Sequence, residues 1–186
     1  MPNTKPAIFL DRDGVINRNR PDYVKSWAEY IFLPDVFSSL RRIAKSKYLI
    51  VVVSNQSPIG RGIVQKEAVD EINMLMQAEI ERQGGRIDAI YYCPHVPDDN
   101  CDCRKPGPGM LFQAARELGI DLAKSFLIGD AVSDIQAAFN AGCKPIMVLS
   151  GRGEEQLPQF HAQHLDDIVP VVQDLATALD LILDVE

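Results

Sequence analysis

No apolar run in this chain approaches the roughly 18 residues that a membrane span requires, and the polar Met1–Pro6 stretch lacks a signal-peptide pattern. A membrane partner is therefore not expected, and a cytoplasmic location is. Positive charge is scarce as well: 19 Lys and Arg stand against 26 Asp and Glu, a net charge of −7. Binding along a nucleic-acid backbone needs a basic stripe, so this balance argues against nucleic acid as a partner. It does not argue against a small phosphorylated ligand, which needs only a few local cations and a metal ion. Cysteine is sparse too. Of four residues, Cys93, Cys101 and Cys103 are bunched, and in a reducing compartment such a bunch reads as a metal site ahead of disulfides. Cys143 stands apart after Gly142 and reads as a small buried hydrophobe.

What is present is an ordinary globular composition, 46% hydrophobic and 24% charged over 186 residues. That suits one domain spanning 1–186, and a monomer is expected. Short apolar runs at Ala7–Leu10, Tyr48–Val53, Ile87–Cys93, Ser125–Ile128, Pro145–Leu149 and Asp167–Val172 predict strands. They are continuous, not alternating, which fits strands buried on both faces of a parallel sheet. Between them apolar residues recur at helix spacing: Val36, Leu40, Ile43 and Ala44; Val69, Ile72, Met76 and Ile80; Leu111, Ala114, Ala115 and Leu118; Ile135, Ala138 and Phe139; Leu175, Leu179, Ile182 and Leu183. Pro108 and Gly119 bracket the third helix, and Gly142 closes the fourth. These stripes read as core packing. The alternation predicts an α/β doubly wound domain, a mainly parallel sheet with helices on both faces. Ligands of such sheets bind beyond the carboxyl ends of the strands.

The strand ends carry the chemistry. The first run ends in Asp11-Arg12-Asp13-Gly14, the second in Ser54-Asn55-Gln56, and the fourth in Gly129-Asp130 with Asp134 four residues on. Arg104-Lys105 precedes the helix that feeds the fourth strand. Singly, each of these is most often a turn or a helix cap; the ordered set points to a site. Crowded carboxylates repel and raise a pKa unless a cation is present, and hard oxygen ligands suit Mg²⁺ together with a substrate phosphate. An aspartate can attack phosphorus to form an aspartyl-phosphate. Charge then builds on the phosphoryl oxygens, where Ser54, Lys105 and a metal would meet it. A second carboxyl two residues on can protonate the leaving oxygen and then deprotonate water.

The segments DRDGV, VSNQ, RKP and GDAVSD resemble the four signature motifs of the haloacid dehalogenase-type phosphohydrolases, a likeness covering residues 7 to about 150. The resemblance implies a nucleophile at Asp11 and a general acid/base at Asp13. It implies Mg²⁺ on Asp11, on the backbone carbonyl of Asp13 and on Asp130, with Ser54 and Lys105 holding the phosphoryl group. Asp134 is then expected to orient the lysine or the metal's waters.

Cys93-Pro94-His95 and Cys101-Asp102-Cys103 supply three thiols and an imidazole in one short stretch. Cys₃His is a closed structural Zn²⁺ set with no open position; free thiols with a surface histidine, or a disulfide, are the alternatives. A zinc-stapled loop would hold Arg104 and Lys105 over the site. The segment CPH…CDCRKP resembles the zinc-containing branch of the family, which includes heptose bisphosphate phosphatases and histidinol phosphatases and has no large cap domain. That resemblance makes Arg104 the candidate for a distal phosphate or sugar. Two polar, turn-rich loops are the other substrate candidates. One supplies Asn19, Arg20, Pro21 and Asp22, the other Asn55, Gln56 and Ser57, with Arg12 beside the aspartates. Ser57-Pro58 departs from the small residue and glycine expected there. The activity implied is removal of the 7-phosphate of a heptose 1,7-bisphosphate, a phosphorylated sugar. Histidinol phosphate as substrate, and a non-catalytic zinc-stapled binding module, are the competing readings.

Overall fold

The computed structural model describes residues 4–183. Strands β1 (Ala7–Leu10), β2 (Leu49–Asn55), β3 (Ala89–Cys93), β4 (Phe126–Gly129), β5 (Lys144–Val148) and β6 (Val171–Val172) form one sheet in the order β3-β2-β1-β4-β5-β6. Every neighbouring pair is parallel. The chain steps outward from β1 through β2 to β3, returns to pair β4 with β1, and steps outward the other way. The strand order therefore reverses between β1 and β4, where doubly wound sheets open a crevice.

The α-helices among the described residues are α1 (Val36–Ile43), α2 (Ser57–Gly60), α3 (Lys66–Arg82), α4 (Gly109–Leu118), α5 (Val132–Ala141), α6 (Gly153–Ala162) and α7 (Leu175–Leu183). Period-2 alternation along the strands splits the core into two layers. Ile8 and Leu10 face one layer with Leu40, Met76 and Leu179, from α1, α3 and α7. Ala7 and Phe9 face the other with Leu111 and Ala138, from α4 and α5. A third cluster joins Ile135 and Met147 to Phe160 of α6. Gly119 and Gly142 close their helices in the left-handed conformation, as their punctuation predicts.

Three local features depart from the sequence reading. The sixth strand is confined to Val171–Val172, because Pro170 has no N–H for the ladder and Leu165 and Val169 are buried in the third cluster instead. Helix α6 has no apolar stripe, holds Pro158 inside it, and buries only Gly153 and Phe160. Ser57-Pro58 opens the short helix α2, a position where proline's fixed φ is already helical.

Candidate active site

Asp11 lies one residue past β1, and its N–H donates to Ile128 O of β4 at 3.0 Å. Asp130 lies one residue past β4, so the switch point sets the two carboxylates side by side. Asp134, on the first turn of α5, joins them: one carboxylate oxygen from each of the three lies within 4.8 Å of the others. Lys105 is buried among them. Its Nζ donates to Asp11 Oδ1 at 2.8 Å and to Val53 O at 2.9 Å, and pairs with Asp134 Oδ1 at 2.6 Å. All three ammonium protons are thus used. Asn55 fixes the lysine's backbone from both sides, donating to Lys105 O and accepting from Lys105 N, each at 3.0 Å.

Burial pushes the Asp11 carboxyl up to about 7, with Asp134 and Asp13 adding to the rise and Lys105 opposing it. Burial likewise pushes Asp130 up to about 8, helped by Asp11 and Asp134. Burial alone would lower Lys105, but Asp11 and Asp134 reverse this and hold it above its ordinary value. Three carboxylates against one ammonium leave an excess of buried negative charge, the condition a divalent cation relieves. Asp134 is already committed, with Oδ1 on Lys105 and Oδ2 on the Ala131 N–H at 3.1 Å. Asp130 Oδ2 accepts from the Arg152 N–H at 2.7 Å. Among the described residues, Asp11 Oδ2 and Asp130 Oδ1 have no hydrogen-bond partner, which leaves Asp130 Oδ1 open to a cation and Asp11 Oδ2 open to substrate. Gly14 and Gly151 pack around this carboxylate with φ of +99° and +63°. A Cβ on either would come within 1.9 or 2.2 Å of Asp130 Oδ2, so only glycine admits the approach.

Asp13 sits above this cluster. Its Oδ2 accepts from Arg12 Nε at 3.1 Å, Arg12 Nη2 at 2.9 Å and Gln56 Nε2 at 2.8 Å, and its Oδ1 from Asn17 Nδ2 at 2.9 Å. Gln56 Nε2 also donates to Ser54 Oγ at 2.8 Å. A cleft of about 640 Å³ opens over these groups, and its wall carries Arg20, Arg61, Arg104 and Arg152.

The thiol cluster lies beside the cleft. Cys93 Sγ is 3.5 Å from Cys101 Sγ and 3.1 Å from Cys103 Sγ, and Cys103 and Cys101 are 3.4 Å apart. His95 Nδ1 is 3.5 Å from Cys93 Sγ and 3.3 Å from Cys103 Sγ. These are several tenths of an ångström under the roughly 3.8 Å S···S edge of a zinc tetrahedron and far beyond the roughly 2.05 Å of a disulfide. The donor set and its convergence fit zinc, with Nδ1 as the imidazole ligand. Arg104 Nη1 donates to His95 O at 3.2 Å, tying the following arginine to the cluster.

Comparison with known proteins agrees with this geometry. The family model described as HAD-hydrolase-like matches residues 102–178. The D-glycero-beta-D-manno-heptose-1,7-bisphosphate 7-phosphatase of Pseudomonas aeruginosa is 35% identical over 97% of this chain and 99% of its own. That of Bordetella bronchiseptica is 39% identical over 95% and 97%. A crystal structure of the D,D-heptose 1,7-bisphosphate phosphatase from B. bronchiseptica, complexed with magnesium and phosphate, superposes with a TM-score of 0.90 at 38% identity, covering 97% and 99% of the two chains. The chain belongs to the haloacid dehalogenase-like phosphatases.

Within this phosphatase family's frame, most residues singled out from the sequence do converge. Asp11, Asp13, Ser54, Lys105 and Asp130 line the cleft, with Asn19, Arg20, Pro21, Asn55, Gln56, Ser57 and Arg104. Asp22 does not. It is held outside by opposite charges, Lys25 at 2.6 Å and Arg20 at 3.1 Å. Arg12 borders the cleft, but its guanidinium is turned onto Asp13 and Asn73. The sequence reading missed Ser133, Gly151, Arg152 and Glu155, which also line the wall. Gly151 follows β5, so inspecting the end of that strand as closely as the others would have found its loop. No helix among the described residues is long and apolar enough to cross a membrane.

Proposed function

We propose that this phosphatase removes the 7-phosphate of D-glycero-D-manno-heptose 1,7-bisphosphate through an aspartyl-phosphate on Asp11. One observation carries the chemistry: Lys105 locks Asp11 Oδ1 at 2.8 Å, which leaves Oδ2 facing the cleft for attack on phosphorus. As the new O–P bond forms, the bond to the sugar oxygen breaks, and Asp13 gives that oxygen its proton. Asp13, now a carboxylate, takes a proton from a water that attacks the phosphoryl group and frees Asp11. Ser54 and Lys105 border the place where charge gathers on the phosphoryl oxygens, the kind of preorganised donors that lower such barriers. Asp11, the Asp13 carbonyl and Asp130 would hold Mg²⁺, which supplies charge neutralisation at the phosphate. Cys93, His95, Cys101 and Cys103 would hold a structural Zn²⁺ that steadies Arg104 and Lys105. We read the chain as one cytoplasmic, monomeric domain over 1–186, with its thiols kept reduced.

The substrate reading is supported by the relatives' names and by the charge of the wall. Arg61 and Arg104 have no carboxylate partner among the described residues, a setting that suits a second phosphate. Histidinol phosphate brings an amine and an imidazole to the same place, where those cations repel it. Side-by-side kcat/KM values on the heptose bisphosphate and on histidinol phosphate test this. The sugar is expected to win by about 100-fold or more, two well-made charged contacts. Preference for histidinol phosphate would overturn the substrate and leave the Asp11 chemistry standing.

A further inference from the structure

We propose that Asn73 is a positioning residue for Asp13, acting through Arg12; the inference rests on the reading of Asp13 as the acid/base group. Asn73 sits in the middle of α3, on a buried face whose other members are Val69, Ile72, Met76 and Ile80. A polar side chain among such neighbours is unfavourable unless it is hydrogen-bonded. Its Oδ1 accepts from Arg12 Nη1 at 3.1 Å, across 61 residues of sequence.

Arg12 is 1% exposed and heads the largest fully buried side chains of the molecule. Its Nε and Nη2 grip Asp13 Oδ2 from one side of the guanidinium, and Nη1 meets Asn73 on the other. A guanidinium is a rigid plane, so anchoring Nη1 sets the plane in which the other two nitrogens reach Asp13. With Gln56 also on Oδ2, that oxygen has three N–H donors and Oδ1 has one. Oδ1 is then the less engaged oxygen of the two, the one through which Asp13 would meet the leaving group. An apolar residue at position 73 would leave Nη1 without this acceptor. Asn73 thus acts on how Asp13 is aimed, without touching substrate.

The leaving group separates this role from mere packing. kcat/KM reports the steps up to departure of the leaving group. The oxygen of a primary alcohol is a poor leaving group and needs the Asp13 proton to depart from phosphorus, whereas p-nitrophenolate leaves without it. Asn73→Leu keeps the branching and the number of side-chain heavy atoms and removes the acceptor; Asn73→Asp keeps an acceptor oxygen. The leucine variant is expected to lower the alkyl-to-aryl ratio of kcat/KM about tenfold, part of a full general-acid contribution. The aspartate variant is expected to keep the ratio within about threefold of wild type. Equal losses on both substrates, or an unchanged ratio in the leucine variant, would overturn the proposal. Should Asn73→Leu not fold, Arg12→Lys decides, because one ammonium cannot span both partners: its ratio must fall, and an unchanged ratio overturns the idea. Asp13→Asn separates the two layers. If it lowers both substrates equally, the acid reading fails and takes this inference with it; if it shows the bias and Asn73→Leu does not, only the positioning role is lost.

Discussion

The carboxylate cluster and the thiol cluster both crowd ligands that repel one another, but they are built in opposite ways. Asp11 follows β1, while Asp130 and Asp134 follow β4 more than a hundred residues later, and the pairing of β1 with β4 brings them together. The four residues of the thiol cluster come from one short stretch that begins at the last residue of β3, and their donor atoms face each other. The first cluster keeps two oxygens turned to the cleft; the second has none to spare. Structural zinc sites are closed and catalytic metal sites keep an open position, and this molecule has one cluster of each form. They are linked through two residues, Arg104 and Lys105, which follow Cys103 directly. Damage at the acidic cluster should therefore stop the chemistry. Damage at the thiols should act only through the placement of that pair.

Asp11→Asn is the sharpest way to break this contrast. It removes the attacking oxygen and keeps the shape, so phosphate release with Mg²⁺ present should fall by about 10⁴-fold or more, as for other enzymes that lose a nucleophile. Zinc content should not change. A rate near wild type would sink the covalent mechanism and, with it, the claim that the open cluster is the reactive one.

The thiol cluster should answer more weakly. Metal analysis of the purified protein is expected to find about one zinc per chain that survives dialysis. Cys103→Ser should release it and lower kcat/KM about 10- to 100-fold, the scale on which support around a site matters, while Mg²⁺ binding at Asp11 and Asp130 persists. A zinc-free protein with full activity would erase the contrast, because the loop would then hold Arg104-Lys105 unaided.

The two clusters also differ in how far the sequence revealed them. The thiol set is local, so the convergence of its four side chains was readable from their bunching in the sequence. The acidic set was readable because Asp11 and Asp130 follow strands, with Asp134 one helical turn beyond, and a parallel sheet brings such ends to one edge. What stayed hidden depends on side-chain direction. Asp22 looked like a substrate contact until Lys25 and Arg20 were seen to hold it outside, and so did Arg12 until its fork was found on Asp13 and Asn73. No periodicity marks α6, whose burial rests on Phe160, so the wall formed by Arg152 and Glu155 had no signal beyond the end of β5.

The smallest effect expected concerns stability and tests the acidic cluster without any turnover. Burial raises Asp11 to about 7 and Asp130 to about 8 when no cation offsets it, so the folded chain holds these protons more tightly than the unfolded chain does. Their contribution is fully present below the unfolded carboxylate value near 4 and is lost as pH rises through the folded values. Zinc-loaded, magnesium-free protein should therefore melt lower at pH 8 than at pH 5.5, by on the order of 5 °C. Carboxyls held low by surface partners, such as Asp22 at about 2, titrate below this window and leave it clean. Mg²⁺ should recover most of the loss at pH 8 and little at pH 5.5, because bound cation replaces the missing protons. Asp130→Asn should flatten the slope, since the amide carries no charge at either pH. A melting temperature that rises with pH in wild type, or a slope that survives the substitution, would mean that the crowding is relieved from within the fold, and the case for an open cation position beside Asp11 would fall.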